Sequence, residues 1–380
     1  MMGNCIIMKS KIAVFIGIIL CLSSCGKDYV YRIDGKLTNL ENQIVYAVFE
    51  NEDYRQVDTI ECTKSGQFKI LQQTEGFNSV TIYFENRSRW ITAYLKSGDK
   101  ISISGDARYP LLLQVKGGRI NDQLTDVRKR LSPLLKEYTD LTNQLNNGSN
   151  NSSEETDMVA RLSNINIQLQ EEVINHIKEF PDEEASVVLI EMFFAEPDDT
   201  RRMDELLALL DPQLKEFYLA RDLEQFSIRA KRTELGAEAP DFLLKNIYGD
   251  QVSLNYFPDK YLLLAFTAPW CDMCQTEDLF LDQVVTKYPQ DKVDVLLVSL
   301  DSNPEEVRTF LKEDSISWNL VTDSAGQATM MIDLYNVSAI PRCFLIDEEG
   351  KILLKTDNGI EIKQTLEKLL EEEEEEENEE

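Results

Sequence analysis

Trp270-Cys271-Asp272-Met273-Cys274 is the stretch on which the reading of this chain turns. It follows an apolar run, Tyr261-Leu262-Leu263-Leu264-Ala265-Phe266, and precedes apolar residues at helical spacing, Leu279, Leu281 and Val284-Val285. The pair therefore sits at a strand-to-helix junction. There the first sulfur meets unpaired backbone N–H groups and the positive end of a helix, which stabilise a thiolate. The second sulfur lies three residues on, on the same face, close enough to close a disulfide. A Cys-x-x-Cys can also be half of a zinc site, but structural zinc takes four ligands. The chain has one histidine, His176, far upstream, and no second Cys-x-x-Cys. The strand–motif–helix context points to dithiol redox chemistry and to no metal or bound cofactor.

Outward from the motif, residues 235–370 alternate strands with helices. Upstream stand Ala239-Pro240-Asp241-Phe242 and Tyr248-Gly249-Asp250-Gln251-Val252-Ser253-Leu254. Downstream come an apolar strand from Val293 to Leu300, a helix from about Pro304 to Lys312, and Leu320-Val321 before a helix around Gln327 to Tyr335. Ile340-Pro341-Arg342-Cys343-Phe344-Leu345-Ile346-Asp347, a Glu349-Gly350 turn and the strand Ile352 to Leu354 complete an α/β layer pattern.

This region resembles the thioredoxin-like fold, and within it the membrane-tethered thiol–disulfide oxidoreductases of the TlpA and ResA type. The matching pieces, in family order, are Ala239-Pro240-Asp241-Phe242, Ala268-Pro269-Trp270-Cys271-Asp272-Met273-Cys274, Glu277, Tyr335-Asn336-Val337, Ile340-Pro341 and Phe344-Leu345-Ile346-Asp347. The resemblance implies that Cys271 is the attacking thiolate and that Cys274 resolves the mixed disulfide. It implies a cis Pro341 facing the sulfurs, with Ile340 presenting backbone groups to an extended substrate and Trp270 covering the dithiol. Thioredoxins proper carry a buried acid six residues before the first cysteine, where this chain has Ala265. Glu277, three residues after Cys274, is the corresponding candidate to accept and return a proton; its alternative is a solvated helix glutamate. Asp272 beside the thiolate disfavours ionisation of Cys271, which lowers the potential and favours a reductase over an oxidase. Cys343 is read as a buried strand cysteine rather than a third redox thiol.

Two further regions precede this module. Residues 25–118 carry alternating patterns at Tyr31-Ile33, Ile44-Tyr46-Val48, Phe68-Ile70, Val80-Ile82-Tyr83, Ile91-Ala93-Leu95 and Ile101-Ile103, with turns at Ser65-Gly66 and Ser97-Gly98-Asp99. They predict an all-β small sandwich or barrel, with Cys62 a half-buried strand residue. Residues 119–231 are predicted helical. Ile120, Leu124, Val127, Leu131, Leu134, Tyr138, Leu141 and Leu145 form one heptad-like seam, and Met158, Leu162, Ile165, Leu169, Val173, Ile177 and Phe180 form another. With the polar break Asn146 to Ser153 between them they suggest a helical hairpin, with Pro133 placed to kink its first helix. Shorter helices are expected over 183–195, 201–210 and 212–229. The seam is read first as internal packing and second as a homodimer contact. These upstream regions look like the accessory domains of many Gram-negative lipoproteins, a weaker resemblance that brings no chemistry.

The first residues indicate export. Lys9 and Lys11 precede an apolar run, Ile12 to Leu22, too short to span a bilayer but suited to a secretory signal over residues 1–24. Leu22-Ser23-Ser24-Cys25 resembles a lipobox, which implies lipidation of Cys25; an ordinary cleaved signal is the alternative. The formal net charge is −29, which argues against binding nucleic acid or anionic lipid head groups. Part of it is the stretch 371–380, nine glutamates and one asparagine, expected as a disordered tail. Four cysteines beyond Cys25, with one pair at redox spacing, are no disulfide framework.

Together these readings predict a lipid-anchored disulfide reductase at the periplasmic face of a membrane. It would be reduced by a membrane thiol donor and act on oxidised proteins, and Gly26 after Cys25 favours the outer membrane. Two alternatives remain. One is a binding lipoprotein whose β and helical regions hold a ligand or partner. The other is a thiol peroxidase, against which stands Ala268 where that pattern has threonine.

Overall fold

The computed structural model describes residues 30–51, 54–146, 152–274, 288, 292–311 and 319–379. The signal and lipobox residues, Cys25 among them, and the segment after Cys274 that contains Glu277 lie outside the described residues. The chain divides into two compact units, residues 1–139 and 140–380.

In the first unit, β1 (Tyr31–Thr38), β4 (Gln67–Gln72), β7 (Lys100–Asp106) and β8 (Gln114–Lys116) form a sheet in the order β4-β1-β7-β8. A second sheet has the order β3-β2-β5-β6, from β2 (Ile44–Glu50), β3 (Arg55–Glu61), β5 (Ser79–Phe84) and β6 (Arg89–Tyr94). Inward residues of both sheets, Tyr31, Ile33 and Leu37 with Val45, Phe49, Ile82 and Phe84, make one continuous core. On β2 the buried set is Val45, Ala47 and Phe49, not the Ile44-Tyr46-Val48 set expected from sequence. Both sets are apolar, so the pattern is ambiguous by one residue, and pairing with β5 decides which faces inward. The strand β3 escaped the sequence reading because none of its residues is fully buried. At the turn before β4, Gly66 has φ +71°, and a Cβ there would collide with the Leu37 carbonyl oxygen at 1.8 Å. Only glycine fits this turn.

Helices α1 (Arg119–Arg130) and α2 (Ser132–Asn146) abut at Leu131, with Pro133 in the first turn of α2. The seam Ile120, Leu124, Val127 and Leu131 is buried as expected, but burial then passes to Leu135 in place of Leu134. The break before Pro133 resets the helical phase.

The second unit begins within α2 and continues with α3 (Ser152–Glu179), α4 (Glu184–Phe194), α5 (Arg201–Leu207) and α6 (Tyr218–Lys231). Ile165, Leu169, Val173 and Ile177 of α3 are buried, whereas Met158 and Leu162 are half-buried. The helix expected over 212–229 is preceded by a 3-10 turn, Pro212–Glu216, where the Asp211 side chain accepts from the Gln213 N–H.

A five-stranded sheet follows, in the order β13-β12-β11-β14-β15. Its strands are β11 (Tyr261–Thr267), β12 (Val293–Ser299), β13 (Asn319–Thr322), β14 (Arg342–Ile346) and β15 (Ile352–Thr356); a small hairpin, β9 (Leu244–Lys245) with β10 (Gln251–Val252), precedes them. Every residue of the central β11 is buried, as a strand covered on both faces must be. Leu264, Phe266, Val298 and Phe344 pack on one face with Tyr335 and Phe242. Leu263, Ala265, Leu297 and Cys343 pack on the other with Ile362 and Leu366. The covering helices are α7 (Pro304–Leu311), α8 (Gln327–Leu334) and α9 (Gly359–Glu379).

Tyr335-Asn336-Val337 closes α8. Asn336 adopts φ 51°, and the Val337 N–H donates to the Ile332 carbonyl at 2.9 Å, a left-handed helix stop for which asparagine is the usual substitute for glycine. Helix α9 runs on into the glutamate stretch expected as a disordered tail. Glutamate is a good helix former, and a helix anchored by Ile362 and Leu366 needs no new nucleus to extend.

Candidate redox site

Strand β11 ends at Thr267, and Ala268-Pro269-Trp270 carries the chain over to a helical turn that starts at Asp272. The Cys271 N–H donates to the Ala268 carbonyl at 3.1 Å, and the Cys274 N–H donates to the Cys271 carbonyl at 3.1 Å. This tight turn brings the two cysteines to a Cα–Cα distance of 5.2 Å, and their sulfurs are joined. The Cys274 N–H also points at Cys271 Sγ, 3.2 Å away. An N–H aimed at sulfur from the start of a helix stabilises negative charge on it when the bond opens.

Burial distinguishes the two sulfurs' residues. Cys274 is fully buried, whereas Cys271 keeps a small exposed surface. Ala268, Leu300 and Ile340 complete the apolar bed beneath them. Leu300 was legible only as the end of a strand; its backbone N–H donates to the Thr267 carbonyl, which brings it to the motif. The Ile340–Pro341 peptide is cis, and the Ile340 carbonyl oxygen lies 3.7 Å from Cys271 Sγ. Trp270 is 63% exposed and Met273 71% exposed. The indole stands out beside the disulfide and is no core aromatic. Asp272 is exposed as well.

The cysteines outside the pair differ sharply from it. Cys343 is buried on β14, opposite Ala265, so the site where thioredoxins place an acid is an apolar Ala–Cys contact. Cys62, in the first unit, is more buried than the half-buried strand residue expected, and lies one residue beyond β3. Its burial pushes the thiol up to about 11. In the reduced native protein at pH 8, iodoacetamide should modify Cys271 while Cys62 and Cys343 react only after unfolding, as peptide mass mapping would show. The native thiol of Cys62 also stays protonated where the unfolded one ionises. The folded state thus binds the extra proton, and stability contributed by this group falls as pH rises from about 9 to about 11. A Cys62→Ala variant should lose part of that alkaline decline in denaturation experiments.

A dithiol held at a strand–helix turn, against a cis-proline loop and on a five-stranded mixed sheet, defines a thioredoxin-like protein. The comparisons agree. The AhpC/TSA family matches residues 235–355, and a domain of unknown function, DUF4369, matches residues 31–124. The thiol–disulfide oxidoreductase ResA of Bacillus thuringiensis subsp. konkukian is 28% identical over 142 residues, 37% of this chain and 80% of that protein. A thiol–disulfide oxidoreductase from Bacteroides fragilis of known structure is 31% identical, with 35% of this chain and 98% of that one covered and a TM-score of 0.32. The thioredoxin domain of a thiol–disulfide oxidoreductase from Bacteroides vulgatus is 30% identical over 36% of this chain and 96% of that one, with a TM-score of 0.32. Residues 235–355 are an AhpC/TSA thioredoxin-like domain, and the homologues of this region are named thiol–disulfide oxidoreductases.

Proposed function

We propose that the protein is a protein disulfide reductase whose dithiol is Cys271 and Cys274, anchored at the periplasmic face of a membrane through a lipidated Cys25. The observation that carries this reading is the joined pair with the Ile340 carbonyl 3.7 Å from Cys271 Sγ. In the reaction, the Cys271 thiolate attacks a substrate disulfide and forms a mixed disulfide, releasing one substrate thiolate. Cys274 then attacks Cys271 Sγ, which frees the second substrate sulfur and leaves the enzyme disulfide. The substrate is thereby reduced by two electrons. A membrane thiol donor returns them by the reverse exchange. Exposed Trp270 and Met273 offer an apolar rim around the disulfide, and the Ile340 backbone offers hydrogen-bonding groups to an extended peptide. Glu277 takes and returns the proton of Cys274.

The upstream regions are accessory in this reading: a β sandwich over residues 25–118 and a helical region over 119–231. No helix among the described residues is long and apolar enough to cross a membrane. The lipid on Cys25, at the end of a signal over residues 1–24, supplies the attachment, with the outer membrane favoured by Gly26.

Direction is set by potential. The exposed carboxylate of Asp272 within the motif opposes the thiolate and so lowers the potential. Equilibration of the lipid-free chain with glutathione or dithiothreitol, followed by thiol trapping, should place the pair near about −270 mV. A value near about −120 mV would make it an oxidant of folding proteins instead.

A further inference from the structure

The loop Ala195–Thr200, between α4 and α5, reaches the strand that follows the cis-proline. Asp198 Oδ2 lies 3.3 Å from Arg342 Nη1, and Asp198 Oδ1 lies 2.8 Å from Lys355 Nζ. Lys355 also donates to the Pro197 carbonyl at 3.3 Å. Both cations are largely withdrawn from water: the Lys355 side chain is 6% exposed and that of Arg342 12%. Lys355 and Phe344 are paired across β14 and β15, and the ammonium lies 5.8 Å from the Phe344 ring centroid. One carboxylate thus serves two sequestered cations, and among the described residues it is the acid that pairs with each.

The loop is fixed from behind. Asp199 accepts from Arg201 Nε and Nη2 at 2.9 and 2.6 Å, and the Thr200 hydroxyl contacts Asp204 and Ser227 at 3.1 and 3.3 Å. Asp204 in turn is 2.7 Å from Lys231 Nζ. Asp198 is therefore presented by a braced loop. Arg342 directly follows Pro341, and its Cα is two residues from Ile340, whose carbonyl touches Cys271 Sγ. With the Ile340–Pro341 peptide cis, the Cα atoms of Ile340 and Arg342 are at most about 7 Å apart.

We propose that Asp198 is a positioning residue for the dithiol: the helical segment uses it to hold the Pro341–Arg342 segment in place and to balance the charges of Arg342 and Lys355 on the strands that follow the cis-proline. The inference rests on the Cys271–Cys274 pair being the working redox couple. It gives the helical segment a role at the site, although Asp198 lies outside the matched family domain, residues 235–355.

The test is a charge cycle read as the glutathione equilibrium of the full mature chain without lipid. Asp198→Asn leaves Arg342 and Lys355 without their counter-charge, so the thiolate of the reduced form gains and the equilibrium constant for reduction rises roughly threefold, about 14 mV. Arg342→Gln moves it the opposite way. The double variant returns to wild type, and Asp198→Glu, which keeps the charge, does not move it. The rate of Cys271 alkylation at pH 7 should follow the same order. The proposal is overturned if Asp198→Asn leaves the potential unchanged, or if both single variants shift it in the same direction, as a merely structural disturbance would. If Asp198→Asn does not yield folded protein, an unshifted Arg342→Gln overturns it equally. A wild-type chain that forms no Cys271–Cys274 disulfide would instead overturn the redox reading itself, and this proposal with it.

Discussion

Replacing Cys271 by serine is expected to reduce the rate of insulin disulfide reduction by more than about 10⁴-fold, the scale on which loss of an essential nucleophile registers. The hydroxyl that replaces the thiol has no ionised form at neutral pH and cannot form a mixed disulfide. Cys274→Ser should behave differently. Cys271 keeps the N–H of residue 274 directed at it, so it still attacks, but no second sulfur releases the product. A stable mixed disulfide between Cys271 and a substrate cysteine should accumulate and be visible on a non-reducing gel. Full activity in Cys271→Ser would sink the proposed function. The accessory regions would then become the place to look for what the protein does.

The largest stability effect is expected at Tyr335. Its ring is fully buried, packed edge-on against Phe344 at 5.2 Å between centroids and tilted against Phe266 at 6.1 Å and Phe242 at 6.4 Å. Its hydroxyl donates to the Pro240 carbonyl at 2.7 Å, and the Tyr335 carbonyl accepts from Thr233 Oγ1 at 3.3 Å. Tyr335→Ala removes the ring from the centre of this face and should cost about 3–5 kcal/mol. Tyr335→Phe keeps the ring but strands the Pro240 carbonyl, at about 1–3 kcal/mol. Burial, reinforced by the nearby Asp241 charge, pushes the phenol well above its usual range, so the donor stays protonated through mildly alkaline pH. Exposure of the Cys343 thiol in urea would follow this module alone. A midpoint for Tyr335→Ala equal to wild type would show that the aromatic cluster contributes little.

These residues show how far the sequence could be read. Ala239-Pro240-Asp241-Phe242 and Tyr335-Asn336-Val337 were recognisable as family pieces, but nothing local explains why they travel together. The structure does: the Tyr335 hydroxyl meets the Pro240 carbonyl across 95 positions, and Phe242 packs in the same core. Cys343 was read as a buried strand residue, and it is one; its position opposite Ala265 required the register of β14 on β11. The β2 face was misread because alternation identifies a strand without choosing between two apolar faces.

The local pattern by itself determined the redox module. A run of apolar residues and a Cys-x-x-Cys specify a strand and the turn that follows it through interactions a few residues long, and short spacing alone keeps the two sulfurs together. Only tertiary structure decided what surrounds them. Ile340 approaches Cys271 from 69 positions away, and Asp198 reaches Arg342 across 144. Such contacts depend on which strands pair and which loops are braced. Those choices are made by burial of the whole core, and no local stretch of sequence carries them.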